Sequence, residues 1–371
     1  MRTKQTSHKG DATSSSNGMA SATPKRMRQN APADMRSPAQ PPELSDSDRD
    51  KLKIFLDRAE KPFTVATYAT SGKKRKRNAK TYTLQEDLWQ DRLAVQYDVK
   101  PRDKWESLRR YKKFTVGSES IATGQCILVK HDEREEAKID VANQWKAKVL
   151  EVRALDSEHV YIRVAWLNRP EDLHAGRKPY HGKNELIPTN QMDVIDAMAV
   201  NGSLEVNHWD DAEDESAMLE DDQFFWRQTF DLVNTGTFSK LRLICIDSAP
   251  QNPDELILQC SNETCRKWLH VKCIAERAAQ QADSHASGKQ NGVNSAAKKR
   301  GRPKNPSISN DSSAVAKAVK GKFSSEIFIK DLPQGPDVTP ATSTEIIVTD
   351  DKGVQYSEEL CCLFCDQAVK D

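Results

Sequence analysis

The sequence predicts a mainly β chain of about two domains, with stretches before and between them that build no core. Three observations carry that reading. Residues 160–167, VYIRVAWL, alternate strictly: Val160, Ile162, Val164 and Trp166 share one face, and Tyr161, Arg163, Ala165 and Leu167 share the other. That is the period-two pattern of a strand. Downstream, Cys260, Cys265, His270 and Cys273 recur at the short intervals that metal ligands need, and Cys362 and Cys365 form a further pair. The 371 residues are 30% charged, 37% hydrophobic and only 6% aromatic, too polar for the whole length to pack.

No apolar run approaches the roughly 20 residues of a membrane span, and the first residues lack an apolar signal region. The expected address is cytosolic or nuclear, where the eight cysteines stay reduced and their spacing points to metal rather than disulfides. The net charge of +1 hides an asymmetry: residues 1–80 hold 18 Lys and Arg against 8 Asp and Glu, whereas residues 209–222 hold eight acids and no Lys or Arg. A basic arm and an acidic run suit work among nucleic acid and basic protein tails, or simply a solvated surface.

Residues 1–80 read as a disordered basic arm, rich in Ser, Pro, Ala, Asn and Lys at its start. Met1 to Gly10, MRTKQTSHKG, resembles the start of histone H3, as a mimic of that tail or by coincidence. Ser47-Asp48-Arg49-Asp50 has capping-box form ahead of Leu52, Ile54, Phe55 and Leu56, a short helix ended near Pro62. Lys73 to Arg77 is an unbroken basic run, an import signal or phosphate contact against the alternative of a solvated linker. Residues 81–114 read as a helical lead-in, with a second capping box at Thr83-x-x-Glu86 and apolar residues Leu84, Leu88, Trp89, Trp105, Leu108 and Tyr111.

The first domain is expected over residues 115–234. Its strands are residues 125–129, residues 147–152 and the alternating stretch from Val160, joined by an exposed charged loop at 131–139 and a turn at Asp156-Ser157. The last strand ends in Trp166, then Asn168-Arg169-Pro170-Glu171, a polar loop, and His181-Gly182-Lys183-Asn184-Glu185-Leu186. With Asp193-Val194, Val206-Asn207-His208 and the closing FFWRQTFD of residues 224–231, this order resembles the bromo-adjacent homology (BAH) domain of chromatin proteins. The resemblance implies a β-barrel-like module without catalytic activity. Many members hold a methylated lysine of a histone tail in an aromatic cage. Trimethyl-lysine keeps its charge but donates no hydrogen bond, so aromatic faces must hold it. Carried over, the cage takes Trp145, Trp166 and a third position that here is Asn168. Tyr161, Tyr180 or Trp209 would then have to supply the missing wall. Asp193 and His208 fall where the family contacts the peptide or braces the pocket. The plain alternative for Trp166 is core packing beside Ile162 and Val164.

The second domain is expected over residues 241–366. Lys267-Trp268-Leu269-His270 and the ligand spacing resemble the plant homeodomain (PHD) finger, whose eight ligands hold two zinc ions in cross-brace order. That order implies one site of Cys260, Cys265, Cys362 and Cys365, and a second of Cys245, Asp247, His270 and Cys273, with Asp247 standing where the family has cysteine. Cys361 is then a spare thiol. Residues 280–322 read as a disordered insertion carrying Lys298-Lys299-Arg300-Gly301-Arg302-Pro303-Lys304. Arg300, Gly301, Arg302 and Pro303 form an AT-hook core for the minor groove of A·T-rich DNA, or a second import signal. Residues 326–330 and 345–349 are expected to return as strands.

Basic arm, BAH and PHD in this order resemble fungal BAH–PHD effectors of Polycomb repression. The resemblance implies a nuclear, non-enzymatic reader of histone H3 on the nucleosome, trimethylated on its twenty-seventh residue, that recruits a corepressor and helps silence facultative heterochromatin. Two rivals remain at this point: an AT-hook DNA-tethering factor and a zinc cross-brace ubiquitin ligase. No Ser/His/Asp constellation or phosphate loop supports another chemistry.

Overall fold

In the computed structural model of the chain, the described residues are 43–70, 83–131, 141–213, 216, 219–287, 314–331 and 342–369. The H3-like start, the basic run Lys73–Arg77 and the hook at Arg300–Pro303 lie outside them. The expected disordered arm is corrected over 43–70. Helix α1 (Asp46–Arg58) is capped by Ser45, whose side chain accepts from the Asp48 N–H, two residues ahead of the expected cap. It buries Leu52 and Leu56, and Phe63 leads into strand β1 (Thr64–Tyr68).

The helical lead-in is corrected too. Its first half is β2 (Leu84–Leu88) and β3 (Leu93–Lys100), in a sheet of order β1-β3-β2. The reason is period two: Leu93, Val95, Tyr97 and Val99 are all buried while their neighbours are not. Glu86 caps no helix and instead accepts from Arg163 at 2.6 Å. Trp89, Gln90 and Asp91 turn the chain at φ of 57°, 57° and 62°, a left-handed path that L-residues adopt only under tertiary constraint. Helix α2 (Arg102–Ser107) follows, with Trp105 buried.

The large sheet then assembles. Strand β4 (Arg109–Tyr111) pairs with residues 152–154, and β5 (Lys113–Val116) and β6 (Glu119–Ala122) form a hairpin. Next come β7 (Cys126–Val129), β8 (Trp145–Ala154), β9 (Val160–Asn168), β10 (Ile187–Asp196) and β11 (Val200–Leu204). The short strands β12 (Asn207–His208), β13 (Phe225–Trp226), β14 (Phe230–Asp231) and β15 (Thr237–Phe238) close the domain. The order is β11-β7-β8-β9-β10-β14-β15, so the domain runs past the expected end at residue 234. Both faces of β9 are covered. Ile162 and Val164 pack with Phe114, Ile121, Ile127 and Val149. Tyr161, Ala165 and Leu167 pack against Phe63, Trp89, Val95, Tyr97 and Trp105 of the N-terminal segment. At roughly 1.5–3 kcal/mol per buried large apolar side chain, that segment is an integral wall of the domain. Arg163 on this face is held by Glu86 and by Glu151 at 3.2 Å, as a buried charge must be.

The second domain opens with β16 (Leu243–Ile244), β17 (Ala249–Pro250), β18 (Ile257–Gln259) and β19 (Trp268–His270). The expected insertion is then narrowed from both sides. Helix α3 runs Val271–Ser287 and β20 spans Ala316–Lys320. The two expected return strands are present as β21 (Phe323–Asp331) and β22 (Thr342–Thr349), and with β20 and β23 (Gln355–Glu358) they form one antiparallel sheet in the order β20-β21-β22-β23. Ile274, Ala275 and Ala278 of α3 pack on Ala318, Ile327, Ile346 and Val348. The two domains touch where Asn252 Nδ2 donates to the Pro179 carbonyl at 2.9 Å and Asp254 accepts from the Lys183 N–H at 2.6 Å.

Candidate functional site

Register brings Trp145 and Trp166 together. Ala147 pairs with Trp166 across β8 and β9, and Val129 pairs with Trp145 across β7 and β8. Directly paired residues share a sheet face, so both indoles stand on the Ile162/Val164 side. Their ring centroids are 6.4 Å apart with planes at 66°. Trp145 is 38% exposed, whereas Trp166 is half-buried against the core. His131, which sequence reasoning missed, stacks on Trp145 at 5.2 Å and 15°; its signal is its place just beyond Val129, the partner of Trp145.

Asn168 is half-buried, with Nδ2 3.5 Å from Thr189 Oγ1, and that hydroxyl donates to the Trp166 carbonyl at 3.2 Å. The suggested substitutes are engaged elsewhere. Tyr161 is buried on the opposite face, Tyr180 sits edge-on to His181, and Trp209 edge-on to Phe225. Asp193, paired with Val164, accepts from Lys61 Nζ at 2.8 Å. His208 packs on Trp226 at 4.2 Å. Burial, with the Arg92 charge nearby, lowers its pKa, and among the described residues its Nε2 is a buried nitrogen without a partner.

The cysteines converge as the cross-brace order requires. The ligand atoms of Cys260, Cys265, Cys362 and Cys365 all lie within 4.8 Å of one another, and so do those of Cys245, Asp247, His270 and Cys273. Sulfur pairs Cys260–Cys365 and Cys265–Cys362 are 3.7 and 3.8 Å apart. A tetrahedral ion with metal–sulfur bonds of about 2.3 Å needs an edge of roughly 3.8 Å. In the other group Cys273 Sγ is 3.4 Å from Asp247 Oδ2 and 3.8 Å from His270 Nδ1, and that nitrogen is 3.2 Å from Asp247 Oδ1. Mixed S, N and O ligands at about 2.0–2.3 Å subtend edges of roughly 3.3–3.6 Å, so the carboxylate fills the corner that a cysteine would otherwise take. Turn geometry supplies the placement: Cys245 has φ of 59°, and the Gln367 N–H aimed at Cys365 lowers that thiol to about 7. Both groups could hold a metal ion.

Comparison with known proteins decides the family. The BAH domain model matches residues 119–242. Over 171 residues, 46% of this chain and 71% of the relative, the sequence is 30% identical to chromatin remodeling protein SHL of Arabidopsis thaliana. The chain belongs to the BAH-domain chromatin proteins. Chromatin remodeling protein EBS of the same plant is 27% identical over 157 residues, 42% of this chain and 62% of EBS, so less than two thirds of that relative is spanned. The crystal structure of the yeast Rsc2 BAH domain is 17% identical, with a TM-score of 0.26 over 36% of this chain and 54% of that one. In this BAH protein the family match begins at β6, so α1, β1–β3 and α2, which wall the Tyr161 side of the core, lie outside it, as do β4 and β5. No helix among the described residues is long and apolar enough to cross a membrane.

Proposed function

We propose that this BAH protein is a non-enzymatic, nuclear reader of the methylated histone H3 tail, trimethyl-lysine of the Polycomb type being the best-matched ligand, and that it contributes to transcriptional silencing. The Trp145–Trp166 pair carries the reading. Two rings near right angles, each about 4.5 Å from a shared cation, have centroids roughly 6.4 Å apart, well inside cation–π range; the observed separation is 6.4 Å. Trp145 is 38% exposed, so a side chain can reach the pair, and His131 stacks on one face of its ring. Asp193 and His208 are the candidate peptide contacts, and Asn168 leaves one side of the ammonium to solvent.

The PHD-type domain is proposed to hold two zinc ions, one on Cys260, Cys265, Cys362 and Cys365 and one on Cys245, Asp247, His270 and Cys273. Zinc would supply folding energy here, tying distant segments into one unit. These residues close both coordination spheres, which suits a structural role. Titration calorimetry on the full chain tests the reading. Trimethylated H3 peptide should bind at least tenfold more tightly than the bare peptide, and Trp145→Ala should erase the difference while leaving the melting temperature within a few degrees. Equal affinity for both peptides in the unmutated protein would rule the reading out.

A further inference from the structure

Strand β4 and the turn after it present a basic surface. Residues 109–113 read Arg-Arg-Tyr-Lys-Lys, four cations and an aromatic without an acid. Arg109 and Tyr111 lie opposite Ala154 and Val152 of β8, and Arg110 opposite Arg153, so Arg110 turns to the other face. There Glu151 holds it at 2.6 Å. Arg109, Tyr111, Lys112 and Lys113 are all exposed, Tyr111 to 44%.

This surface lacks the counterions of an ordinary solvated run. Among the described residues, Arg109, Lys112 and Lys113 have no carboxylate within ion-pair distance, and the Tyr111 hydroxyl has no hydrogen-bond partner. Three carboxylates of the adjoining elements are engaged. Glu151 holds Arg110, Arg153 and Arg163, Glu106 lies 3.6 Å from Arg102, and Glu119 accepts from the Ser203 N–H at 3.0 Å. The Thr123 N–H donates to the Lys112 carbonyl at 3.0 Å, and the loop that it opens, Thr123-Gly124-Gln125, carries no charge. On the other flank Arg49, also exposed, donates to the Leu155 carbonyl at 3.4 Å, one residue beyond the partner of Arg109.

Like charges held together on a paired strand repel one another, and a polyanion relieves that cost. Residues 109–113 extend over about 13 Å at roughly 3.3 Å per residue, which is about four phosphate steps along one strand of B-form DNA. The single exposed tyrosine can donate its hydroxyl to a phosphate, but it builds no stacking platform of the kind that single strands need.

We infer that Arg109, Tyr111, Lys112 and Lys113 form a contact surface for the phosphate backbone of duplex DNA. It lies at the opposite end of β8 from Trp145, roughly 20 Å away at the rise of a strand. It shares no residue with the methyl-lysine reading, so either can fail without the other. Backbone contacts of this kind add affinity and orientation without base sequence preference.

Binding of the full chain to a short mixed-sequence duplex, followed by fluorescence anisotropy over a range of salt concentrations, tests the inference. The Arg109→Gln, Lys112→Gln, Lys113→Gln variant removes three charges. The slope of log affinity against log salt should flatten by about 2.7, at roughly 0.9 per phosphate contact, with affinity at low salt down at least tenfold and the melting temperature preserved. Other basic segments of the chain add affinity of their own, so a second readout, on the unmutated protein, localises the contact. Acetylation of Lys112 and Lys113 by an amine-reactive anhydride, read by peptide mass spectrometry, should slow at least threefold under saturating duplex and much less under poly-glutamate of equal charge. An unchanged salt slope in the variant, equal acetylation with and without duplex, or equal protection by poly-glutamate would overturn the inference.

Discussion

Trp89 and Thr189 join segments a hundred residues apart: the buried indole Nε1–H donates to the Thr189 carbonyl at 2.9 Å. Thr189 sits in the irregular stretch of β10 where pairing with β9 shifts register, and its hydroxyl bonds the Trp166 carbonyl. The left-handed turn that presents Trp89 thus buttresses the backbone behind the tryptophan pair. Trp89→Phe keeps most of the apolar contact but leaves a buried carbonyl unpaired, a loss of about 1–3 kcal/mol. The urea midpoint should fall with an unchanged slope, and methyl-peptide affinity should weaken in the same variant.

Asn168 ends β9 opposite the Trp145 end of β8, and its side-chain hydrogen bond to Thr189 is long at 3.5 Å. Replacing it sacrifices little. Asn168→Tyr would set a third aromatic face beside the proposed ammonium, worth about 0.5–2 kcal/mol, a two- to thirtyfold gain for the trimethylated peptide. Calorimetry should show no matching gain for the unmethylated one. A parallel gain for both would mean that the new ring merely adds apolar surface.

The two metal groups differ in two corners: one has four cysteines, and the other has Asp247 and His270 beside two cysteines, with Asp247 its only oxygen ligand. Zinc prefers thiolate and imidazole for structural sites, so the Asp247 site should release its ion first. Mass spectrometry under native conditions should find two zinc ions per chain, falling to one under mild chelation. Asp247→Ala should hold one ion throughout, and Asp247→Cys should retain both under the chelator that strips one from the unmutated protein. Cys362→Ser should lose the four-cysteine site, whose thiols lie at the core of the second domain, and with it much of that domain's thermal transition.

Much of this was legible in the sequence, and the exceptions share a physical cause. The strand from Val160 rests on local periodicity, which survives any tertiary arrangement, whereas the grouping of the metal ligands rests on the resemblance to the PHD cross-brace, because spacing alone does not say which pairs share an ion. The segment 84–88 did not read correctly because Leu84 and Leu88 satisfy both a helical four-residue step and an even strand step. What decides between them is the partner strand, where Leu93, Val95, Tyr97 and Val99 turn one side inward. Only residues 280–287 of helix α3 fall in the Ala-, Ser- and Gln-rich stretch that reads as an insertion; the helix is fixed by Ile274, Ala275 and Ala278, the small apolar stripe on which the four-stranded sheet lies. The His131 stack needs the β7–β8 pairing, which no local window contains.

His159 ties α1 to the β8–β9 turn through Asp57 and Asp156. Burial alone would lower its pKa, but the hydrogen bonds and charges of the two carboxylates outweigh it, and the net shift is upward from 6.5. Asp156, correspondingly, is shifted down by its bonds to His159 and to backbone N–H groups against the opposing effect of burial. A histidine pKa raised on folding stabilises the protein fully below the unfolded value and ceases to do so as pH climbs through the folded one. The groups facing the ring are Asp57 from α1 and Asp156 from its own turn, with Glu158 and Lys53 at the rim. Asp57 is half-exposed, so solvent limits the effect to about 1 kcal/mol. Chemical denaturation from pH 5.5 to 8.5 should show the unmutated protein losing stability relative to His159→Gln as pH rises past about 6.5; parallel curves would mean that the imidazole stays neutral throughout and that packing alone holds α1 in place.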